Sequence, residues 1–433
     1  MKIALLGAGH IGQRIAQLLA DSGDYEVTAI DRSATALQPL QAAGRVRAQM
    51  VDTADARALG AALVGQDAVL NALPYHLATL VATEARAAGC HYFDLTEDVA
   101  STRAIQELAV GADTAFMPQC GLAPGFIGIA AHHLAQQLDE VHEVKLRVGA
   151  LPAYPNNALK YNLTWSVDGL VNEYCRPCEA VRDGRRIEVL PLEGLEHFSL
   201  DGVEYEAFNT SGGLGTLCET WAGKLRSIDY KTVRYPGHRD LMWVLLEELR
   251  MKDDQETLKR ILRRSVPMTM QDVVLVFVSV SGMRAGQLVQ EVFARKVFAD
   301  HSGSQPLSAI QITTAAGICA ALDLFREGKL PRKGFIRQEQ VALPDFLANR
   351  FGAPYQQASA PLASPAPGTA PPAMPAAVTG RGPQGQCLQG LGRASARPPH
   401  PRDRRTAPHA DGDCIAGQPL PASADRLGGP QLV

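Results

Sequence analysis

With 433 residues, 46% of them hydrophobic and 20% charged, the chain is long enough for two or three domains and a substantial core. Its formal charge of -3 lacks the basic excess that a nucleic acid or an anionic membrane surface demands, so the expected partner is a small molecule. No run approaches the roughly 20 apolar residues that span a bilayer, and the eight scattered cysteines form no disulfide framework; a cytoplasmic protein with reduced thiols is expected.

The chain opens on an apolar strand over 2–6, breaks at Gly7, Gly9 and Gly12, and resumes as a helix over about 10–20. A second apolar strand, over 25–30, ends in Asp31. This is the G-x-G-x-x-G turn of a dinucleotide-binding βαβ unit, and each part has a physical task. Gly7 permits the tight turn, Gly9 lets a pyrophosphate approach the backbone, and Gly12 lets the helix pack on the strand. The free N–H groups around His10, Ile11 and Gly12 receive the phosphate charge. Asp31 is placed to accept from the adenosine ribose diol and to repel a 2′-phosphate, which favours NAD. The neighbouring Arg32 softens that repulsion, so NADP stays open.

Strand signals over 45–51, 67–71, 91–94 and 113–117, separated by helical stretches, imply right-handed crossovers and a parallel sheet covered on both faces. Ligands of such sheets sit beyond the carboxyl ends of the strands, which adds Asp52, Asn71, Leu73 and Pro74 to the cofactor candidates. Residues 1–120 are therefore expected to form a Rossmann domain, doubly wound on a parallel sheet. After 121 the pattern changes. A helix opens at Pro124 and Gly125, and Val144, Leu146 and Val148 alternate with Lys145 and Arg147 as in a half-buried strand. Asp-Gly pairs at 183–184 and 201–202 mark hairpins, and the apolar run 273–280 reads as a buried strand partnered by 290–298. Residues 121–305 are expected to form an inserted α+β domain on a mostly antiparallel sheet, and 306–352 to return to the Rossmann domain through a helix with a small-residue face. From 353 to 433, Pro, Ala, Gly and Arg dominate and a disordered tail is expected. Its abrupt change in charged-residue usage raises the hypothesis of an altered reading frame in GC-rich DNA, which resequencing or an intact mass decides.

Taken together, Gly7-x-Gly-x-x-Gly12, Phe93-Asp-Leu-Thr-Glu-Asp98, Cys120-Gly-Leu-Ala-Pro-Gly125, Trp165-Ser166, Asn209-Thr-Ser-Gly-Gly213, Tyr235-Pro-Gly-His-Arg-Asp240 and Gly334-Phe-Ile-Arg-Gln resemble the saccharopine dehydrogenase-like family, in particular its bacterial branch that includes lysine 6-dehydrogenase. The resemblance implies an NAD(P)-dependent oxidoreductase acting on a C–N bond of an amino acid, with an inserted domain that often makes a homodimer. Lysine 6-dehydrogenase-like deamination is favoured. Saccharopine dehydrogenase, or a non-catalytic NAD-binding regulator on the same fold, are the alternatives. Saccharopine-forming relatives usually carry Asp where this chain has Ala123, which favours simple amine oxidation.

Oxidising an amine by hydride transfer needs a base and a closely held carbon. His76, beyond a strand end, can shuttle the proton or be a surface histidine at a helix start. Asp94, with Glu97 and Asp98, can hold a substrate ammonium; equally, the segment from Thr96 to Asp98 caps the next helix. The resemblance makes Trp165, Ser166, Asn209 and Thr210 candidate substrate contacts, with packing and turn formation as the structural alternative. Arg239 can clasp a carboxylate or pair with Asp240. Cys175 and Cys178 lack further ligands at zinc spacing, and His132, His133 and His142 lack acidic or thiolate companions, so no metal is expected.

Overall fold

The computed structural model describes residues 1–303 and 305–356. Strands β1 (Lys2–Leu6), β2 (Glu26–Asp31), β3 (Arg47–Met50), β4 (Ala68–Asn71), β5 (His91–Asp94) and β6 (Ala115–Met117) alternate with helices α1 (His10–Ser22), α2 (Ala34–Ala42), α3 (Ala56–Leu63), α4 (Ala78–Ala87) and α5 (Val99–Leu108). The sheet runs β3-β2-β1-β4-β5-β6 and is closed by a short strand, Gly334–Phe335, beside β6; every pairing is parallel. Period-2 alternation sends Ile3 and Leu5 to one core with Ile15 and Leu19 of α1, and Ala4 and Leu6 to another with Leu59 of α3 and Val81 of α4. Both faces of the sheet are thus covered, as parallel strands require.

The second sheet holds β7 (Glu140–Pro152), β8 (Cys178–Arg182), β9 (Arg185–Val189), β10 (Glu196–Leu200), β11 (Val203–Asn209), β12 (Leu225–Arg234), β13 (Asp272–Arg284) and β14 (Gln287–Phe298). Its order is β10-β11-β12-β7-β13-β14, with the β8–β9 hairpin attached to β12. Pairing is antiparallel except between β7 and β12. Both Asp-Gly pairs form two-residue turns with left-handed backbone, Asp183 at φ 48° and Gly184 at 75°, Asp201 at 53° and Gly202 at 76°, the conformation that matches strand twist. The remaining helices are α6 (Phe126–Ala135), α7 (Val167–Cys175), α8 (Leu217–Trp221), α9 (His238–Trp243), α10 (Gln255–Ser265), α11 (Ala309–Arg326) and α12 (Leu343–Ala348).

Helix α11 joins the two sheets. It packs on α1 and β13, the Gln311 side chain donates to the His10 carbonyl at 3.2 Å, and the Tyr25 hydroxyl donates to Asp323 at 2.6 Å. A Cβ at Gly317 would stand 2.6 Å from the Cys120 carbonyl oxygen, so only glycine lets α11 approach the 119–125 turn this closely. By length and composition α11 is apolar enough to cross a membrane, but it lies mostly buried in the core.

Three features depart from the sequence expectations. Strand β12 was not expected: its inner half is buried on both faces and carries Lys231 and Arg234, so it reads neither as alternation nor as an apolar run. The pair Gly334–Phe335 is too short to show a period. The expected tail from 353 is corrected at its start, because Tyr355 is fully buried, donates to the Thr313 carbonyl at 2.8 Å and stacks on Phe126 at 3.8 Å. The rest of the expected tail, and the reading-frame hypothesis tied to it, lies outside the described residues.

Candidate active site

The glycine turn has the geometry its sequence demands. Gly7 adopts φ 96°, and a Cβ there would stand 2.8 Å from the Ala72 carbonyl oxygen. A Cβ at Gly12 would fall 1.9 Å from the Gly7 oxygen, whereas one at Gly9 would meet nothing within 4 Å. The space over Gly9 is therefore open for a pyrophosphate, and α1 begins there with no side-chain cap on its first N–H groups. Asp31 accepts from Ala8 N at 2.8 Å and from Ser33 N at 2.8 Å, so it also fixes the turn. Four lone-pair sites on a carboxylate leave room for a ribose diol. Arg32 is exposed beside it.

From this turn a cleft of about 430 Å³ runs to the second sheet. Gly9, His10, Ile11, Leu73 and Pro74 line one end, while Trp165, Ser166, Glu173, Tyr230, Thr232 and Arg234 line the other, with Glu97 and Ala123 also in the wall. Most of the wall is apolar, so its few charged groups decide orientation.

Arg234, the last residue of β12, is 3% exposed and forms no ion pair among the described residues. Its Nε donates to the Tyr174 hydroxyl at 2.9 Å and Nη1 to the Val233 carbonyl at 2.8 Å, and its guanidinium lies over the Tyr161 ring at 5.0 Å. Behind Tyr174 stands His238, with Nε2 3.1 Å from the hydroxyl and Nδ1 2.8 Å from the Leu159 carbonyl oxygen. Burial, followed by the Arg234 charge, pushes His238 down to about 3. It is therefore neutral, donates from Nδ1 to Leu159 and accepts the Tyr174 proton at Nε2. The relay fixes Arg234 in the cleft wall.

Two carboxylates face it. Glu97 Oε1 is buried without a hydrogen-bond partner among the described residues. Gly169 makes that approach possible, since a Cβ there would lie 3.0 Å from Glu97 Oε1 and 2.3 Å from the Trp165 ring. Glu173 follows four residues later, on the same face of α7. Burial, with the charges of Asp98, Asp94 and Asp168, raises Glu97 to about 7. Burial and the Glu97 charge raise Glu173 to about 8, partly offset by Arg234.

Other candidates lie elsewhere. Asn71 is buried and holds the 71–74 loop, donating to the Tyr92 hydroxyl at 3.2 Å and accepting from Leu73 N at 3.1 Å. Asp52 is exposed at the end of β3 and accepts from Ala54 N. His76 is exposed outside the cleft wall, while its neighbour Tyr75 lines it. Asp94 accepts from the Tyr92 hydroxyl at 2.7 Å, Thr96 N at 2.9 Å and Gln119 N at 2.8 Å; this corrects its expected contact with substrate to the holding of two loops. Asp98 accepts from Ser101 N and caps α5, the helix-capping alternative. Ser166 lines the cleft and also caps α7. Asn209 donates to the Leu190 carbonyl, Thr210 borders a separate small cavity, and Arg239 donates to the Leu192 carbonyl, pairs with Asp240 and lies 4.3 Å over Trp243. All three stand off the cleft wall, because β11 and α9 turn them toward other partners. Arg234 and Glu173 were missed by sequence. The apolar spacing around 167–175 carried the available signal for Glu173, while nothing in the pattern of 225–234 marked Arg234.

Residues 3–116 match the family described as Saccharopine dehydrogenase NADP binding domain, and 121–351 the family described as Saccharopine dehydrogenase C-terminal domain. The chain belongs to the saccharopine dehydrogenase family. A saccharopine dehydrogenase (NADP(+), L-glutamate-forming) of Saccharomyces cerevisiae is 25% identical over 266 residues, covering 58% of this chain and 59% of the relative; the match thus spans about three-fifths of that protein's length. The solved apo saccharopine dehydrogenase (L-Glu forming) from Saccharomyces cerevisiae superposes with a TM-score of 0.66 at 17% identity, covering 82% of this chain and 96% of that one, a likeness of fold. In this member of the saccharopine dehydrogenase family the first domain binds a nicotinamide dinucleotide. Its first βαβ unit carries the open space over Gly9 that such a cofactor requires.

Proposed function

We propose that the chain is an NAD(P)-dependent dehydrogenase that oxidises an amine carbon of an amino acid with one carboxylate. Deamination of lysine in the manner of lysine 6-dehydrogenase fits best, with NAD favoured over NADP by Asp31. The observation that carries this reading is Arg234. A buried guanidinium stays charged and is costly without an anion, so a substrate carboxylate is the natural partner for its open edge. Among the described residues that line the cleft, Arg234 is the only permanent cation. Saccharopine, a tricarboxylic acid, would leave carboxylates unmatched there, whereas Glu97 and Glu173 suit the cationic nitrogens of a diamino acid. Ala123 adds no charge to that wall.

The Gly7–Gly12 turn and Asp31 would hold the cofactor, which supplies the hydride acceptor when bound. Arg234 orients the substrate, and the apolar wall around Trp165, Leu95 and Leu122 keeps water from the reacting carbon. The test is reduction of NAD or NADP on addition of lysine, 1,5-diaminopentane or saccharopine. Turnover of lysine above the other two is expected; turnover of saccharopine alone would overturn the reading.

A further inference from the structure

We propose that Glu97 and Glu173 form a carboxylate pair that shares one proton and serves as the acid–base centre of the cleft. The inference rests on the amine-oxidising reading above. Both residues line the cleft, on two elements brought together at Gly169. Glu97 has one oxygen buried and unpartnered, and Glu173, 7% exposed, makes no side-chain hydrogen bond or ion pair among the described residues. Two carboxylates in so apolar a wall cannot both stay ionised without a cation between them.

The groups around them leave the pair to itself. From the β5–α5 loop, Asp94 is held by Tyr92, Thr96 and Gln119, and Asp98 by Ser101. On α7, Asp168 pairs with Arg263 and Lys259 of α10. Tyr75, Tyr161, Tyr174 and Tyr230 face the pair as neutral phenols, each shifted upward by burial. Among the described residues, Arg234 on β12 is the one facing cation, and it forms no ion pair with Glu173. Burial, joined at Glu173 by the Glu97 charge, raises Glu97 to about 7 and Glu173 to about 8, which leaves about one proton on the two carboxyls near neutrality.

The chemistry balances with the nicotinamide as oxidant and water as nucleophile. The substrate ammonium loses one N–H proton to the ionised member of the pair. The nitrogen lone pair then forms the C=N bond as the C–H electron pair leaves as hydride. The pair releases its proton to solvent along the cleft, and water adds to the iminium carbon, its own proton returning to the pair. Collapse of the carbinolamine gives the aldehyde and ammonia.

The experiment compares the pH dependence of kcat for lysine with NAD in the full chain, Glu97→Gln and Glu173→Gln. Both substitutions are near-isosteric and remove a buried charge, so folding is retained and a thermal melt checks it. Each variant is expected to lose about 10²-fold in kcat, with the acidic limb moved to lower pH because the remaining carboxylate titrates alone. Profiles superimposable on wild type in both variants would overturn the pair. Infrared spectra of the free protein read the same proton without turnover. A protonated-carboxyl band near neutral pH, lost in both variants, supports the pair, and its absence from wild type refutes it. If wild type oxidises no amine while that band is present and lost in both variants, the functional reading fails and the shared proton stands.

Discussion

The Nε–H of Arg234 donates to the Tyr174 hydroxyl at 2.9 Å, and that hydroxyl is itself anchored by a neutral His238. Hydrogen bonds to a charged group contribute about 1.5–3 kcal/mol, and here the contribution goes into aiming the guanidinium. Tyr174→Phe is expected to raise KM for lysine about tenfold, a cost of roughly 1.4 kcal/mol, with kcat within about twofold. KM for 1,5-diaminopentane, which has no carboxylate, should not move. Equal increases for both substrates would show that Tyr174 supports the fold rather than Arg234.

Gly9 and Gly12 separate cofactor binding from folding within one turn. Gly9→Ala places a methyl in open space, so its melting temperature should match wild type while NADH affinity, read by fluorescence titration, falls at least tenfold. Gly12→Ala drives a methyl into the Gly7 carbonyl and should destabilise the protein by about 1–3 kcal/mol or more. The two outcomes exchanged would mean the pyrophosphate site lies elsewhere.

Asp31 supports the turn through Ala8 and Ser33 and, on the proposed reading, accepts from the ribose. Asp31→Asn keeps one acceptor for the turn and removes the charge that repels a 2′-phosphate. Paired titrations with NADH and NADPH should show NADH binding weakened about tenfold and the preference shifted toward NADPH. An unchanged ratio would remove Asp31 from cofactor selection.

The raised and the lowered buried carboxyls respond to pH in opposite directions. Asp94, raised by burial to about 6, joins Glu97 and Glu173 at about 7 and about 8, all above their free values of 3.8 and 4.5. Between free and folded values the native protein holds protons that the unfolded chain has released. These groups therefore lower stability as pH rises from about 4 to about 8. Melting temperature should fall across that range, and Glu173→Gln should flatten the fall. Burial opposes ionisation of Asp323, but hydrogen bonds from Arg350, Tyr25, Asn349 and Arg326 outweigh it and hold the carboxyl at about 2. Its contribution is complete above about pH 4 and is lost as pH falls toward 2, an acid limb that Asp323→Asn should remove.

The sequence by itself determined the cofactor half of this protein. A glycine turn, an acid at the end of β2 and period-2 strands separated by helices are local patterns, and each position is fixed by backbone geometry within a few residues of itself. The Asp-Gly hairpins and the long apolar strand β13 were legible for the same reason. The far wall of the cleft was decided by tertiary structure alone. Arg234 sits at the inner end of β12, where burial on both faces hides the strand pattern. Glu97 and Glu173 are 76 positions apart in the sequence and line one cleft because Gly169 lets the β5–α5 loop rest against α7. Asp94 and Arg239 show the converse, since charge and position advertised them while neighbouring hydrogen bonds occupy them. A side chain's type is written in the chain, but whether its charge is left unpaired depends on what the fold places beside it.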